Sequence, residues 1–240
     1  MAGWMVPGRA TPPRFPAAFD AAETRASADF PDRRTHKRGG ELFREGDRVT
    51  HLVHVQEGLV KLVKHSREGK DVIVEICGPG AVMGETSLLD GHPYDATAVV
   101  MTPAVTLWES LTSLHSRISR TPAVLHDLVR SLSTRLRESQ TMLQGLAVDR
   151  VDARLATLLV KLTERPAGSA VPSPEIPLTR QEMAEAVGAT TETTIRVVGK
   201  FIRDGAVQGR NRKLVVTDLR YLKNLANGSA REGENLRVQV

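Results

Sequence analysis

Between residues 122 and 147 the sequence sets Leu125, Val129, Leu132, Leu136, Ser139, Leu143 and Leu146 at alternating spacings of four and three. That is a heptad seam, and it constrains the chain more than any other feature. Thr121 suits an N-cap and Pro122 a first helical position, which predicts a helix of about 39 Å at ~1.5 Å per residue. A helix of that length exceeds what a small domain needs to cover its own core. The stripe is expected to meet a second copy of itself, with Leu125, Val129, Leu132, Leu136, Leu143 and Leu146 as the interface of a homodimer. Ser139 interrupts the seam, as a polar residue does where register or a ligand contact is needed.

The seam separates two different kinds of sequence. Over residues 35–109, the β-branched runs HLVHVQEG, LVKLVKHSREG, DVIVEICGPG and ATAVVMTPAVTLWE are broken by turn signals. These fall at Gly46-Asp47, Glu57-Gly58, Glu68-Gly69, Gly78-Pro79-Gly80 and Asp90-Gly91. The spacing predicts an antiparallel β-roll of about eight short strands, with Leu59, Val60, Lys61, Leu62 and Val63 alternating between its faces. Beyond the seam, a second helix over 151–164 and a loop, RPAGSAVPSPEIP, lead into LTRQEMAEAVGATTETTIRVVGKFIRDGAV. This segment reads as helix, tight turn, helix. Thr179 caps the first helix, Gly188 supplies the turn, and Thr190 or Thr191 caps the second.

On that second helix, Thr194, Val197, Val198, Phe201 and Ile202 share one face and Glu192, Ile195, Arg196, Gly199 and Arg203 the other. A carboxylate and a guanidinium four residues apart suit a recognition helix in a DNA major groove. Arginine can bond O6 and N7 of guanine, glutamate can accept from N4 of cytosine, and Ile195 can touch a thymine methyl. The bland alternative is a surface ion pair between Glu192 and Arg196. Residues 196–223 carry eight Lys and Arg against two Asp, a surplus larger than the whole-chain net charge of +5. Within this stretch AVQGRNRKLVVTD predicts a two-stranded hairpin with a basic tip, a wing that sets Arg210, Arg212 and Lys213 against phosphates.

Composition excludes other classes. At 240 residues the chain is long enough for two domains, and 25% charged with 40% hydrophobic residues is a globular balance. A single cysteine, Cys77, excludes a disulfide framework and a four-cysteine cluster and is expected to be a buried small hydrophobe in a cytoplasmic protein. His36, His51, His54, His65 and His92 are expected to be structural or surface residues rather than ligands of a metal or haem. Prolines at 7, 12, 13, 16 and 31 mark residues 1–31 as a flexible arm, not a signal peptide, and no apolar run is long enough for a membrane helix. No phosphate-binding loop, metalloprotease, nucleophile-elbow or Rossmann pattern nominates an enzyme.

Taken together, the β-roll, the long helix, TRQEMAEAVGATTETTIR and the segment GPGAVMGETSLLDG make a chain that resembles the Crp/Fnr family of bacterial transcription regulators over about residues 33–226. The fold class expected is α+β. Residues 32–121 form a cyclic-nucleotide-binding-like β-roll, 122–147 the dimerisation helix, 148–226 a winged helix-turn-helix domain and 227–240 a tail. The resemblance implies double-stranded DNA and RNA polymerase as partners and no membrane. The expected DNA-contact residues are Thr179, Arg180, Thr191, Glu192, Ile195, Arg196, Lys200, Arg210, Arg212 and Lys213. Thr191 stands where cyclic-AMP-responsive members carry an arginine. The resemblance also implies an effector pocket at Gly84, Glu85, Tyr94, Asp95, Ser139 and Gln140. The arginine that meets a cyclic phosphate is replaced by Tyr94 and Asp95, so cyclic AMP is disfavoured and the effector is left open. Two alternatives stand beside this reading. One is a nucleotide-binding or protein-interaction module that does not read DNA, the other a haem- or redox-responsive member of the family.

Overall fold

A computed structural model describes residues 32–66, 69–164, 175–210 and 213–228. The expected arm at 1–31, nearly all of the expected tail and Arg212 lie outside those residues. The N-terminal half is a β-roll of two four-stranded sheets. One contains β1 (Asp32–His36), β8 (Ala104–Ser110), β3 (His51–Glu57) and β6 (Val82–Met83), in that order. The other contains β2 (Glu41–Phe43), β7 (Thr97–Val100), β4 (Val60–His65) and β5 (Asp71–Cys77), in that order. Every neighbouring pair is antiparallel. The inner faces share one buried cluster that includes Val53, Val55, Val60, Leu62, Ala98, Val100 and Trp108.

Residues 59–63 do alternate, but the outward face is not left to water. Val60 and Leu62 point into the roll. Leu59 and Val63, with Ile73, Ile76 and Met101, instead join a buried cluster that contains Leu155, Leu159, Met183 and Phe201 from the C-terminal half. The sheet face that an isolated antiparallel roll would hydrate is therefore covered by the second domain.

Two helices in the first half were not anticipated. α1 (Glu85–Asp90) occupies a stretch read as part of the strand-and-turn pattern, and Asp90-Gly91 is its end rather than a hairpin turn. Gly91 stops it in the left-handed region at φ 75°, a conformation that favours glycine. α2 (Leu111–Arg120) starts where Ser110 Oγ accepts from the Ser113 N–H at 3.2 Å. It buries Leu114, and Ile118 one turn on packs against the same cluster.

The long helix is α3 (Ala123–Val148). Its start differs from expectation: Pro122 takes the N-cap position with helical angles, and no side chain caps it. Thr121 is occupied with ending α2, its N–H donating to the Arg117 carbonyl at 2.8 Å. Val124 and Leu128 of α3 pack with Leu52, Val82, Leu88 and Leu114. Along the rest of the helix Val129, Leu136 and Leu143 stand 56%, 61% and 66% exposed, and Leu125 and Leu146 are exposed as well.

The C-terminal half contains α4 (Val151–Thr163), β9 (Glu175–Ile176), α5 (Arg180–Val187), α6 (Thr191–Arg203), β10 (Val207–Arg210), β11 (Lys213–Val216) and α7 (Leu219–Ala226). Residues 175 and 176, expected in a loop, pair with β11 and complete a three-stranded sheet ordered β10-β11-β9. A two-residue strand between prolines is too short to show a period. Among the described residues no helix is long and apolar enough to cross a membrane.

Candidate functional site

α6 is positioned by local sequence. Thr179 Oγ1 accepts from the Glu182 N–H at 3.1 Å while Glu182 accepts from the Thr179 N–H at 2.8 Å, a reciprocal capping box that fixes the start of α5. Gly188 ends α5 in the left-handed region at φ 61°. A Cβ there would also come within 2.9 Å of the Leu146 side chain, so both backbone and space favour glycine. Thr190, rather than Thr191, caps α6, its hydroxyl accepting from the Thr193 N–H at 3.2 Å.

α6 is anchored by Thr194, Val198 and Phe201, all buried. Val197 is partly buried and packs against the same core, whereas Ile202, expected in that core, is 43% exposed near the helix end. The opposite face carries Glu192, Ile195 and Arg196, all exposed, with Ile195 at 54%. Neither Glu192 nor Arg196 takes part in an ion pair or side-chain hydrogen bond among the described residues, so the bland pairing between them is not formed. Thr191 is exposed at the first turn and Lys200 is half-buried two turns on. Thr179 spends its hydroxyl on the cap, and Arg180 is half-buried beside Met183. The wing is a β10-β11 hairpin with Arg210 opposite Lys213, and Lys213 Nζ reaches Glu175 at 2.7 Å.

An ionic cluster ties this unit to the β-roll. Lys61 Nζ donates to Glu182 Oε1 at 3.1 Å, and Arg38 donates to Glu182 Oε2 at 3.3 Å and to the Pro177 carbonyl at 3.2 Å. Burial works to raise the Glu182 carboxyl, but the Thr179 N–H and Lys61 hold it below the usual carboxylate range. The motif Thr-Arg-Gln-Glu signals the capping box in sequence. The partners from the β-roll, more than a hundred residues away, leave no such signal.

The residues expected at the effector pocket are brought together only in part. Gly84 has φ 88°, and a Cβ on it would lie 2.9 Å from Tyr94 Cε1, so the Tyr94 ring lies directly over it. That ring stacks on Phe43 with centroids 3.8 Å apart, and its hydroxyl donates to the His51 carbonyl at 2.9 Å. Burial pushes the Tyr94 phenol up to about 12. Asp95 is exposed, as are Ser139 and Gln140. Glu85 is fully buried and pairs with Arg135 of α3, which also pairs with Glu75. Burial raises the Glu85 carboxyl against the pull of Arg135. Burial also opposes the charge on Arg135, but Glu85 and Glu75 outweigh it and hold the guanidinium protonated. Neither Arg135 nor Glu75 was singled out from sequence, because on its helix Arg135 has no distinguishing spacing.

Cys77 and His54 lie inside the β-roll. Cys77 is buried and its thiol is pushed well above the ordinary range, which removes thiolate reactivity. His54 is buried against Glu109, with Nε2 and Oε2 3.0 Å apart. Among the described residues no three His, Cys, Asp or Glu side chains gather to hold a metal ion.

A β-roll joined through a long helix to a winged helix-turn-helix defines a DNA-binding regulator with an effector-type sensor domain. The cyclic nucleotide-binding domain family matches residues 33–112, and the Crp-like helix-turn-helix domain family matches residues 153–225. The chain is 28% identical over 201 residues to the CRP-like cAMP-activated global transcriptional regulator of Mycobacterium tuberculosis, covering 82% of this chain and 87% of that one. It is 30% identical over 198 residues to the cyclic AMP receptor protein of Thermus thermophilus, covering 82% and 89%. A solved CRP/FNR-family transcriptional regulator from Thermus thermophilus matches with a TM-score of 0.68 at 29% identity, over 82% of this chain and 98% of that one. The chain belongs to the Crp/Fnr family of transcription regulators.

Proposed function

We propose that the protein acts as a cytoplasmic homodimer joined along α3 and reads an inverted repeat through α6, with RNA polymerase as a further partner. The reading unit spans 148–226, the dimerisation helix 122–147 and the sensor 32–121. Two reading helices then enter adjacent major grooves about 34–36 Å apart. Arg196 takes guanine, Glu192 cytosine N4 and Ile195 a thymine methyl. Lys200, Arg210, Arg212 and Lys213 meet phosphates, with Thr179, Arg180 and Thr191 at the margin of the groove. The observation that carries this reading is the exposed Glu192, Ile195 and Arg196 face, whose two charged side chains have no partner among the described residues.

Two of the relatives are named for cyclic AMP. We do not extend that effector to this chain. Its buried Glu85 already faces a guanidinium, the ring of Tyr94 covers Gly84, and positions 94 and 95 offer a phenol and a carboxylate where a cyclic phosphate needs a cation. Selection of duplexes from a random pool tests the proposal. An inverted repeat is expected, and Arg196→Ala should cost about 1–3 kcal/mol on it while relaxing preference at one G·C pair. No enriched repeat, or unchanged specificity in the variant, refutes the assignment.

A further inference from the structure

α5 is held at both ends. At its C-terminal end the chain turns at Gly188 into α6, and Met183 and Val187 of α5 share a buried cluster with Val198 and Phe201 of α6. A displacement of α5 therefore carries α6 with it. The long helix holds α4, where Glu138 Oε2 accepts from Lys161 Nζ at 2.8 Å, but the start of α5 is held by the β-roll itself.

Glu182 is the point of attachment. Its Oε1 accepts from Lys61 Nζ of β4 at 3.1 Å, and its Oε2 accepts from the Thr179 N–H at 2.8 Å and from Arg38 Nη2 at 3.3 Å. Arg38, in the turn after β1, also donates through Nη1 to the Pro177 carbonyl at 3.2 Å, and Lys61 Nζ lies 4.0 Å from Glu185 on the next turn of α5. Both oxygens of one carboxylate are thus taken, and the roll supplies a cation to each. Lys61 and Glu182 keep only 15% and 14% of their side chains exposed, so the pair is little screened by water and salt.

The rest of the contact is apolar. Leu59, Val63, Ile73 and Ile76 share a cluster with Met183, and packed apolar surfaces slide over small distances at little cost. Sliding matters because of two-fold symmetry. In a dimer that reads an inverted repeat, a shift of each reading unit away from the axis changes the separation of the two α6 helices by twice that shift. One added base pair lengthens the spacer between half-sites by ~3.4 Å and turns one half-site by roughly 34–36° relative to the other. Each reading unit then has to move by only ~1.7 Å and turn by roughly 17–18° to follow. N–H···O bonds hold over about 2.7–3.2 Å, so the bonds at Glu182 give way under a movement of that size, whereas the apolar contact alone would follow it.

We propose that Lys61 and Arg38 are positioning residues that set which spacer the protein accepts: by holding Glu182 they fix α5, and with it α6, at one distance from the dimer axis, so that half-sites one base pair nearer or farther are rejected. This rests on the reading of an inverted repeat by a homodimer through α6.

The test uses the full chain and the inverted repeat that the unmodified protein selects, with its central spacer kept, shortened by one base pair or lengthened by one. The unmodified protein is expected to bind the altered spacers about tenfold or more weakly than the original. The variant Lys61→Met with Glu182→Gln removes both charges of the pair, and glutamine at that position still closes the capping box. It is expected to keep its circular dichroism spectrum, its sedimentation mass and its base preference within each half-site, while its penalty for an altered spacer falls to about threefold or less. A merely structural role for the pair would weaken binding to all three duplexes alike and leave that ratio where it was. Lys61→Arg, which retains a cation, should restore the penalty. Arg38→Met leaves Lys61 on Glu182, guards against a folding defect in the double variant, and should show a smaller penalty than the unmodified protein. A penalty that stays above about threefold in the folded double variant overturns the proposal, as does, where that variant does not fold, an unchanged penalty in Arg38→Met. An unmodified protein that binds all three spacers alike overturns it as well. An unmodified protein that selects no inverted repeat overturns the reading of DNA by the dimer, a result distinct from these.

Discussion

Glu109 is a fully buried carboxylate, and replacing Arg117 by methionine would expose what it costs to keep it there. Arg117 Nε and Nη2 both donate to Glu109 at 2.8 Å, and His54 Nε2 lies 3.0 Å from the same carboxylate. Methionine keeps much of the stem's packing and deletes the charge. Breaking a buried ion pair by removing one partner costs about 3–5 kcal/mol. Arg117 keeps 14% of its side chain exposed and His54 remains beside the carboxylate, which places the loss nearer ~2–3 kcal/mol. At roughly 2–4 °C per kcal/mol for a chain of this size, melting should fall by about 5–10 °C at pH 8.

The pH dependence carries the sharper prediction. In the unmodified protein burial pushes the His54 imidazole down, Glu109 pulls it up and Arg117 adds to the fall. The unfolded chain then takes the proton first, so this histidine's contribution to stability is lost as pH drops from about 6.5 towards the lower folded value. Without Arg117 one of the causes that lower the His54 imidazole is removed, while burial still lowers it and Glu109 still raises it. The folded value then lies less far below 6.5, the variant loses less of this contribution on acidification, and its deficit should shrink between pH 8 and pH 5.5. Thermal unfolding followed by circular dichroism at the two pH values measures it. A deficit that is equal at both, or below ~1 kcal/mol throughout, refutes the reasoning.

Leu136→Lys puts an uncompensated charge in the α3 stripe and is expected to give monomers by analytical ultracentrifugation, with DNA binding lost; an unchanged dimer mass means the stripe is not the interface. Glu182, held below its ordinary value of 4.5, contributes stability that is present above that value and lost as pH falls through the lower folded one. Lys61→Ala removes part of that depression, so acid unfolding followed by fluorescence should begin at a higher pH than in the unmodified protein, and coincident curves would show that the Lys61–Glu182 contact contributes nothing.

What could be read from sequence was what is encoded locally. The capping box at Thr179 and Glu182, the turn at Gly188 and the cap at Thr190 lie within twelve residues, and each follows from side-chain chemistry alone. The heptad stripe was legible for the same reason. α1 was not, because it is six residues long, too few for a period to show, whereas α2 does carry a helical period in Leu111, Leu114 and Ile118. Of the residues expected at the effector pocket, Gly84, Glu85 and Tyr94 come together, whereas Asp95, Ser139 and Gln140 are exposed. Arg135 reaches Glu85 across 50 residues and Glu75 across 60, and an arginine on a largely exposed helix looks like any solvated charge until the fold closes.

The same nonlocality bears on how a signal would travel. The reading unit is held to the β-roll by two routes, along α3 through Arg135 and Glu138, and directly through the cluster that Leu59, Val63, Ile73 and Ile76 share with Leu155 and Met183. Apolar burial of this kind is strong but weakly directional. The ionic contacts from Lys61 and Arg38 to Glu182 add the direction, since each needs a donor within a narrow range of a carboxylate oxygen. Glu182 is also the residue that caps α5, so these contacts join β4 directly to the helix that supports α6. The β-roll is thus joined to the helix that supports α6 by a contact that does not pass through the long helix.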